Sequence, residues 1–231
     1  MDLLIEIQAF YEKINNMTIL SFHIQQNECF VAIESNMKIT AHSLKIPHGE
    51  TQGMVLIPFI QDVWKEVGCP LLRVLIAPRG PGSFTNLRVI LAAAQGLSLA
   101  FPEADIFAPT HFDVLNHVAR IYTKPPCLVL IDSKKGDFYG QTFYDGIPDI
   151  PIEYTIEQLE QLLVRNKDLM IISDADILGL PFPKERFITF DENLATCQIN
   201  FYKTSSFKDD LEYRQFRPYY FHLPQYVKRT V

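Results

Sequence analysis

The residues best suited to chemistry lie between 71 and 100. An apolar run, Leu71-Leu72-Arg73-Val74-Leu75-Ile76-Ala77, leads into Pro78-Arg79-Gly80-Pro81-Gly82-Ser83-Phe84-Thr85-Asn86-Leu87-Arg88 and then into a segment rich in Ala and Leu. That order predicts a buried strand, a tight loop and a helix, with Ser83 or Thr85 as the cap and Phe84 and Leu87 as the first apolar helical residues. Glycines at 80 and 82 allow positive φ, and they let an anion or another backbone approach the helix N-H groups. Such a loop could hold phosphate. It could equally be a plain strand-to-helix turn, because the dinucleotide fingerprint and the P-loop are both incomplete here.

Two further positions sit where α/β enzymes place working carboxylates. His23 ends a first apolar run and Asp132 ends a second. A pair of aspartates there would suggest magnesium and phosphate chemistry, but only one is present. A satisfied strand-end histidine accounts for His23, and a turn-capping role before Ser133 to Gly136 accounts for Asp132. His42 and His48 are six residues apart, as are His111 and His117, so neither pair has the i,i+4 spacing of a zinc helix. Ser83 lacks a nucleophile elbow and is assigned to helix capping. The four cysteines, Cys29, Cys69, Cys127 and Cys197, form no Cys-x-x-Cys pair and read as buried cytosolic thiols.

The elements around these residues repeat. Thr18 to Phe22, a polar turn at Gln25 to Glu28, Cys29 to Ile33 and Lys38 to Leu44 predict a strand meander. Cys127 to Ile131, a turn at Asp132 to Asp137 and Phe138 to Tyr144 repeat its opening. Overlaid without gaps, His23 meets Asp132 and Phe30 meets Tyr139, which predicts a duplicated α/β unit. Helices are expected from about His48 to Val67, after the glycine loop, near His111 to Tyr122 and over Thr155 to Arg165, with a strand at Leu169 to Ser173. Residues 181 to 231 are rich in Pro, Phe and Tyr and predict ordered loops and an extended tail. The resulting organisation is a 1–17 extension, a first half over 18–122 and a smaller second half over 123–231.

Two helices have more apolar residues than one core-facing stripe needs. The first carries Met54, Val55, Leu56, Ile57, Phe59, Ile60, Val63 and Trp64, with Pro58 as a kink or a second start. The second carries Leu87, Val89, Ile90, Leu91, Ala92, Ala93, Ala94, Leu97 and Leu99. Such helices are buried on more than one side, either deep inside one domain or against another protein. Met54, Val55, Ile57, Phe59, Leu87, Ile90, Leu91 and Ala94 are the side chains expected at such an interface. Left alone, that surface also lends itself to pairing with a second copy of the chain.

The chain has 231 residues, 48% of them hydrophobic, and a net charge of -6, so a substantial core is expected and a self-sufficient grip on nucleic acid is not. Leu3 to Ile7 lacks the basic flank and cleavage site of a signal peptide, and no apolar run approaches membrane-spanning length. A cytoplasmic protein with no membrane contact is expected.

The nine residues Gly80 to Arg88 closely resemble the Gly-Pro-Gly-Ser-Phe-Thr-Gly-Leu-Arg signature of the TsaB family, also called YeaZ, departing only at Asn86. The hairpin from Thr18 to Ile33, the segment His48-Gly49-Glu50 through Leu56-Ile57-Pro58, the hairpin Ile131-Asp132 through Tyr139, and more faintly Pro218-Tyr219-Tyr220-Phe221 resemble other parts of that family. The resemblance implies a duplicated ribonuclease-H-like fold of the actin and sugar-kinase superfamily, with a reduced second half. It implies a non-catalytic subunit that heterodimerises with a catalytic TsaD-type subunit through its first two helices. Beside a TsaE-type ATPase, that complex places N6-threonylcarbamoyladenosine at position 37 of ANN-decoding tRNAs. On this reading the chain alone binds no cofactor or metal, ATP and metal belong to the partner subunits, and tRNA is met through the complex.

Several positions depart from the pattern. The usual Asp-Thr after the first strand is His23-Ile24, the terminal Leu-Arg is Phe221-His222, and residues 1 to 17 are additional. An ATP-dependent phosphotransferase of the same superfamily, using Asp132 and the Gly80 to Thr85 loop, is the main rival. A zinc glycopeptidase, an older label for relatives of this fold, lacks the paired histidines it would need.

Overall fold

The computed structural model describes residues 17–124, 126–133, 136–174 and 182–221. Nearly all of the 1–17 extension, Lys134 and Lys135 of the second hairpin turn, and the tail from His222 onward lie outside the described residues. The chain groups into two units. One holds the described residues up to Pro78, Arg88–Pro109 and Glu192–Phe216; the other holds Arg79–Leu87, Thr110–Asp191 and the residues from Arg217. The backbone therefore crosses between units at several points, whereas the sequence suggests consecutive spans of 1–17, 18–122 and 123–231.

In the first unit, strands β1 (Ile19–Gln25), β2 (Glu28–Ser35), β3 (Lys38–Lys45), β4 (Val74–Ile76) and β5 (Asp105–Phe107) form one sheet in the order β3-β2-β1-β4-β5. The β1-β2-β3 meander is antiparallel, and β4 and β5 run parallel to β1 and to each other. Helix α1 (Gln52–Glu66) runs continuously through Pro58 and buries Val55, Leu56, Ile60 and Val63. It starts four residues later than expected. Strand β5 has only three residues and was not predicted, since so short a run carries no periodicity.

The second unit repeats this plan. Strands β6 (Cys127–Asp132) and β7 (Phe138–Tyr144) form the hairpin, and β8 (Ile147–Pro148) and β9 (Ile152–Tyr154) pair antiparallel with β7. Strands β10 (Met170–Ser173) and β11 (Phe187–Ile188) lie parallel beyond β6. Each sheet thus has an antiparallel hairpin followed by parallel strands on the far side of its first strand. The registers differ by one residue, because His23 pairs with Phe30 while Asp132 pairs with Phe138 rather than Tyr139. An ungapped overlay of the two hairpins therefore slips at the turn.

Local signals fix the helices of this unit. Thr110 and Asp113 form a reciprocal capping box at the start of α3 (His111–Tyr122), and Thr155 and Gln158 form another at α4 (Ile156–Arg165). At the far end of α4 the Arg186 guanidinium donates to the carbonyls of Leu163, Asn166 and Leu169, which closes the helix terminus. Leu159 and Leu163 then pack with Leu128, Leu130, Ile171 and Phe187.

The largest departure from the sequence reading is α5 (Leu194–Thr204), inside the stretch expected to be irregular. Asn193 caps it through the N-H groups of Ala195 and Thr196. Its Ala195 and Ile199 pack with Ile19, Ala32, Val74, Ile76 and Phe107 of the first sheet. The helix was obscured because Gln198 takes a central core position. There the Ser21 hydroxyl donates to the Gln198 carbonyl at 2.8 Å, and the Gln198 amide lies 3.2 Å from His23 Nδ1. All three residues are buried, with Gln198 at 1% exposure. Period-two alternation along β1 puts Ile19, Ser21 and His23 on the face that meets this helix.

Replacing Gln198 by Ala leaves a cavity and removes a partner from two buried groups. Urea titration of the Gln198→Ala chain is expected to show a loss of about 2–4 kcal/mol of unfolding free energy. A loss below about 0.5 kcal/mol, the usual size for a surface substitution, would contradict this role.

Candidate functional site

The glycine loop begins after β4 and ends at α2 (Phe84–Ala100), so the predicted strand-loop-helix order is present. Ser83 stands directly before the helix and its carbonyl accepts the Leu87 N-H at 2.9 Å. Gly80 has φ +106 and is followed by a cis bond to Pro81, whereas Gly82 has no positive φ and open space where a Cβ would be. Only the first glycine is thus required by conformation.

The carbonyls of Arg79, Gly80 and Pro81 are taken up one after another. The Tyr219 N-H donates to Arg79 O at 2.7 Å, and the His111 N-H donates to Gly80 O at 2.7 Å. The His111 imidazole donates to Pro81 O. These are buried groups, with Arg79 at 7% and His111 at 3% exposure, so such pairing is needed. The loop's first half is therefore covered by the chain's own backbone rather than open to an anion. Phe84 and Thr85 remain exposed, Arg88 is exposed on the helix, and Asn86, the one departure from the signature, is buried.

His111 lies at the start of α3, where Nδ1 stands 3.7 Å from Asp174 Oδ2. Burial pushes the imidazole below its ordinary pKa, against the opposing effects of Asp174 and the Pro81 hydrogen bond. The sequence reading weighed His111 only as a zinc ligand. Its role in holding the loop depends on a contact between residues thirty positions apart, which no local spacing reveals.

The two hairpin positions have ordinary surroundings. His23 is buried in the Ser21-Gln198-His23 chain and serves the first unit's core. Asp132 is half-buried at the last residue of β6, beside a turn closed by the Ser133 N-H to Asp137 O bond. Among the described residues, no three His, Cys, Asp or Glu side chains gather as metal ligands. Three cysteines are buried, and desolvation pushes Cys29 up to about 11 and Cys127 and Cys197 up to about 12. Cys69 is exposed, contrary to the expectation that all four thiols are buried. A polar groove of about 250 Å³, missed in the sequence, opens at the β1-β2 turn between Gln25, Gln26, Asn27, Glu28, Phe30 and Lys45.

Comparison with known proteins now decides the family. Residues 54–202 match the family described as TsaD: tRNA N6-adenosine threonylcarbamoyltransferase, which is well over half of the chain. The chain belongs to this family. Within it the chain is a TsaB (YeaZ) member. It is 30% identical over 125 residues to the tRNA threonylcarbamoyladenosine biosynthesis protein TsaB of Escherichia coli K12, covering 53% of each chain. It is 28% identical over 152 residues to TsaB of Buchnera aphidicola from Acyrthosiphon pisum, covering 64% of this chain and 68% of that one. The match thus spans about half the length of the Escherichia coli relative. A solved Pseudomonas aeruginosa structure described as similar to peptidase YeaZ superposes with a TM-score of 0.68 at 18% identity, covering 89% of this chain and all of that one. The fold is accordingly that of the solved YeaZ-like structure, a mixed α/β fold with two similarly built sheets.

In this TsaB-family chain the eight side chains expected at a partner interface divide. Val55, Leu87, Ile90, Leu91 and Ala94 are buried in the chain's own core, so those five are corrected to packing residues. Met54 is 61% exposed, and Ile57 and Phe59 are half-buried. An apolar count along a helix cannot separate these groups, because the direction of the sheet is absent from it. On α2, Leu99 is 84% exposed and Val89 and Ala93 are half-buried. An added Cβ at Gly53 would meet Val89 Cγ2 at 4.0 Å, an ordinary van der Waals contact, so α1 and α2 are neighbours there.

The depressed His111 value carries a pH dependence. The unfolded chain takes up this proton first as pH falls through the ordinary histidine value of about 6.5, so stability is full above it and declines below, by at most about 1.4 kcal/mol per pH unit. The urea midpoint is expected to fall between about pH 7.5 and about pH 5.5, and His111→Asn to flatten that slope. His117, also pushed down by burial and by Arg120, keeps its own share. An unchanged slope in His111→Asn would contradict a buried, depressed imidazole.

Proposed function

We propose that the chain is a non-catalytic scaffold subunit of the complex that forms N6-threonylcarbamoyladenosine at position 37 of ANN-decoding tRNAs. Its partner is a TsaD-type catalytic subunit, docked on the open sides of α1 and α2. A TsaE-type ATPase completes the complex in the cytoplasm, with ATP and metal held by the partner subunits and tRNA met through the assembly. In isolation the same surface can pair two copies of the chain.

The observation that carries this reading is the apolar surface left on the two helices after the core is packed. Met54, Leu99, Ile57, Phe59 and Val89 remain open or half-open on α1 and α2. An apolar patch with few charges suits a stable protein interface rather than free solvent. Similarity to tRNA threonylcarbamoyladenosine biosynthesis proteins supports the proposed reaction. The phosphotransferase alternative needs the Gly80 to Thr85 loop open to phosphate, and the Tyr219 backbone lies over its first half. No helix among the described residues is long and apolar enough to cross a membrane.

Reconstituted tRNA modification with and without the chain tests the role directly, and modification that proceeds equally well without it would end the proposal. The interface has a sharper test. Met54→Asp is expected to weaken binding of the TsaD-type subunit at least about tenfold while leaving the unfolding midpoint unchanged. Val55→Ala, a core truncation, is expected to lower stability by about 1–3 kcal/mol with only a minor effect on affinity at a temperature where the chain stays folded. The opposite pattern, measured by calorimetric titration and urea unfolding, would move the interface elsewhere.

A further inference from the structure

The segment Arg217–Phe221 belongs to the second unit and meets its glycine loop through backbone and ring contacts. Its Tyr219 N-H donates to Arg79 O at 2.7 Å. The Tyr219 carbonyl lies where a Cβ on residue 80 would approach it to 2.9 Å, so a glycine is required at that point of contact. Arg79 places its guanidinium carbon 5.7 Å from the centre of the Tyr219 ring, within cation-π range. Rings on either side fix the neighbours: Tyr220 lies 5.6 Å from Phe84, and Phe221 stacks on Tyr139 at 4.4 Å with 18° between planes and meets Phe112 edge-on at 6.3 Å. Pro218 disfavours helix for the residue before it and removes one backbone donor, which suits an extended bound strand.

We propose that this unit binds its own C-terminal segment as an extended aromatic peptide, and that the bound peptide holds the glycine loop in shape. The recognition surface is the Arg79-Gly80 backbone flanked by the rings of Phe84, Phe112 and Tyr139. Its ligand class is a short peptide with consecutive aromatic side chains, read by one main-chain hydrogen bond and by ring stacking. Tyr219 and Gly80 are the positioning residues: the first supplies the donor for a buried carbonyl, and the second provides the space that lets the strap lie flat. Lifting the strap leaves Arg79 O without its backbone donor and uncovers the loop that starts α2, so residues 217–221 control this loop. This inference does not depend on the proposed partner.

The test is cleavage of the full folded chain at a protease site engineered between Phe216 and Arg217. The severed segment 217–231 is expected to co-elute with the body of the chain on gel filtration. A Tyr219→Ala segment or a Gly80→Ala body should weaken retention at least about tenfold, the size of a lost hydrogen bond and ring contact. Release of the native segment as readily as the Tyr219→Ala segment would overturn the proposal. Should the inserted site prevent folding, hydrogen exchange on the uncut chain decides. The Tyr219 amide is expected to exchange at least about tenfold faster in Gly80→Ala than in the native chain, while the Asn166 amide at the end of α4 is unchanged. Equal Tyr219 rates in the two chains would overturn it as well.

Discussion

Three consecutive buried carbonyls, those of Arg79, Gly80 and Pro81, set the central constraint in this protein. A buried backbone oxygen needs a donor, and neither the preceding strand nor the following helix supplies one here. The donors come from distant sequence: His111 gives its backbone N-H and its imidazole, and Tyr219 gives its backbone N-H. That requirement explains several otherwise separate features. Gly80 must have positive φ and no Cβ, His111 must be buried at the first position of a helix, and the chain must return an extended segment to the loop.

The apolar excess on α1 and α2 has a mixed meaning. Part of it is the ordinary core, since Val55, Leu56, Ile60, Leu87, Ile90 and Leu91 are enclosed by the chain itself. The remainder, led by Met54 and Leu99, is left on the outside. A helix packed on a sheet buries about one face, so a helix apolar on more than one face leaves a surplus that water would oppose. The docking reading rests on that surplus and not on the whole apolar count.

Much of the fold was legible in the sequence because its signals were local. Thr110-Asp113 and Thr155-Gln158 are capping boxes at the starts expected for α3 and α4, and alternating apolar runs marked both hairpins. The duplicated plan followed from two similar hairpins, although the overlay missed a one-residue slip at the second turn. Helix α5 was hidden for a physical reason. Its core-facing position 198 is a glutamine, apolar only in the sense that its polar atoms are satisfied by Ser21 and His23.

Taken alone, the residue order determined the strand-loop-helix at Gly80, the paired hairpins and the nine-residue signature, because each is encoded within a few neighbouring positions. Tertiary structure decided which apolar side chains are core and which are surface, that His23 supports packing, and that Tyr219 and His111 close over the glycine loop. Those outcomes depend on which distant groups satisfy buried hydrogen-bonding atoms and cover apolar area. Such pairings are settled only when the whole chain has folded, since the free energy of each contact depends on the water that all the others exclude.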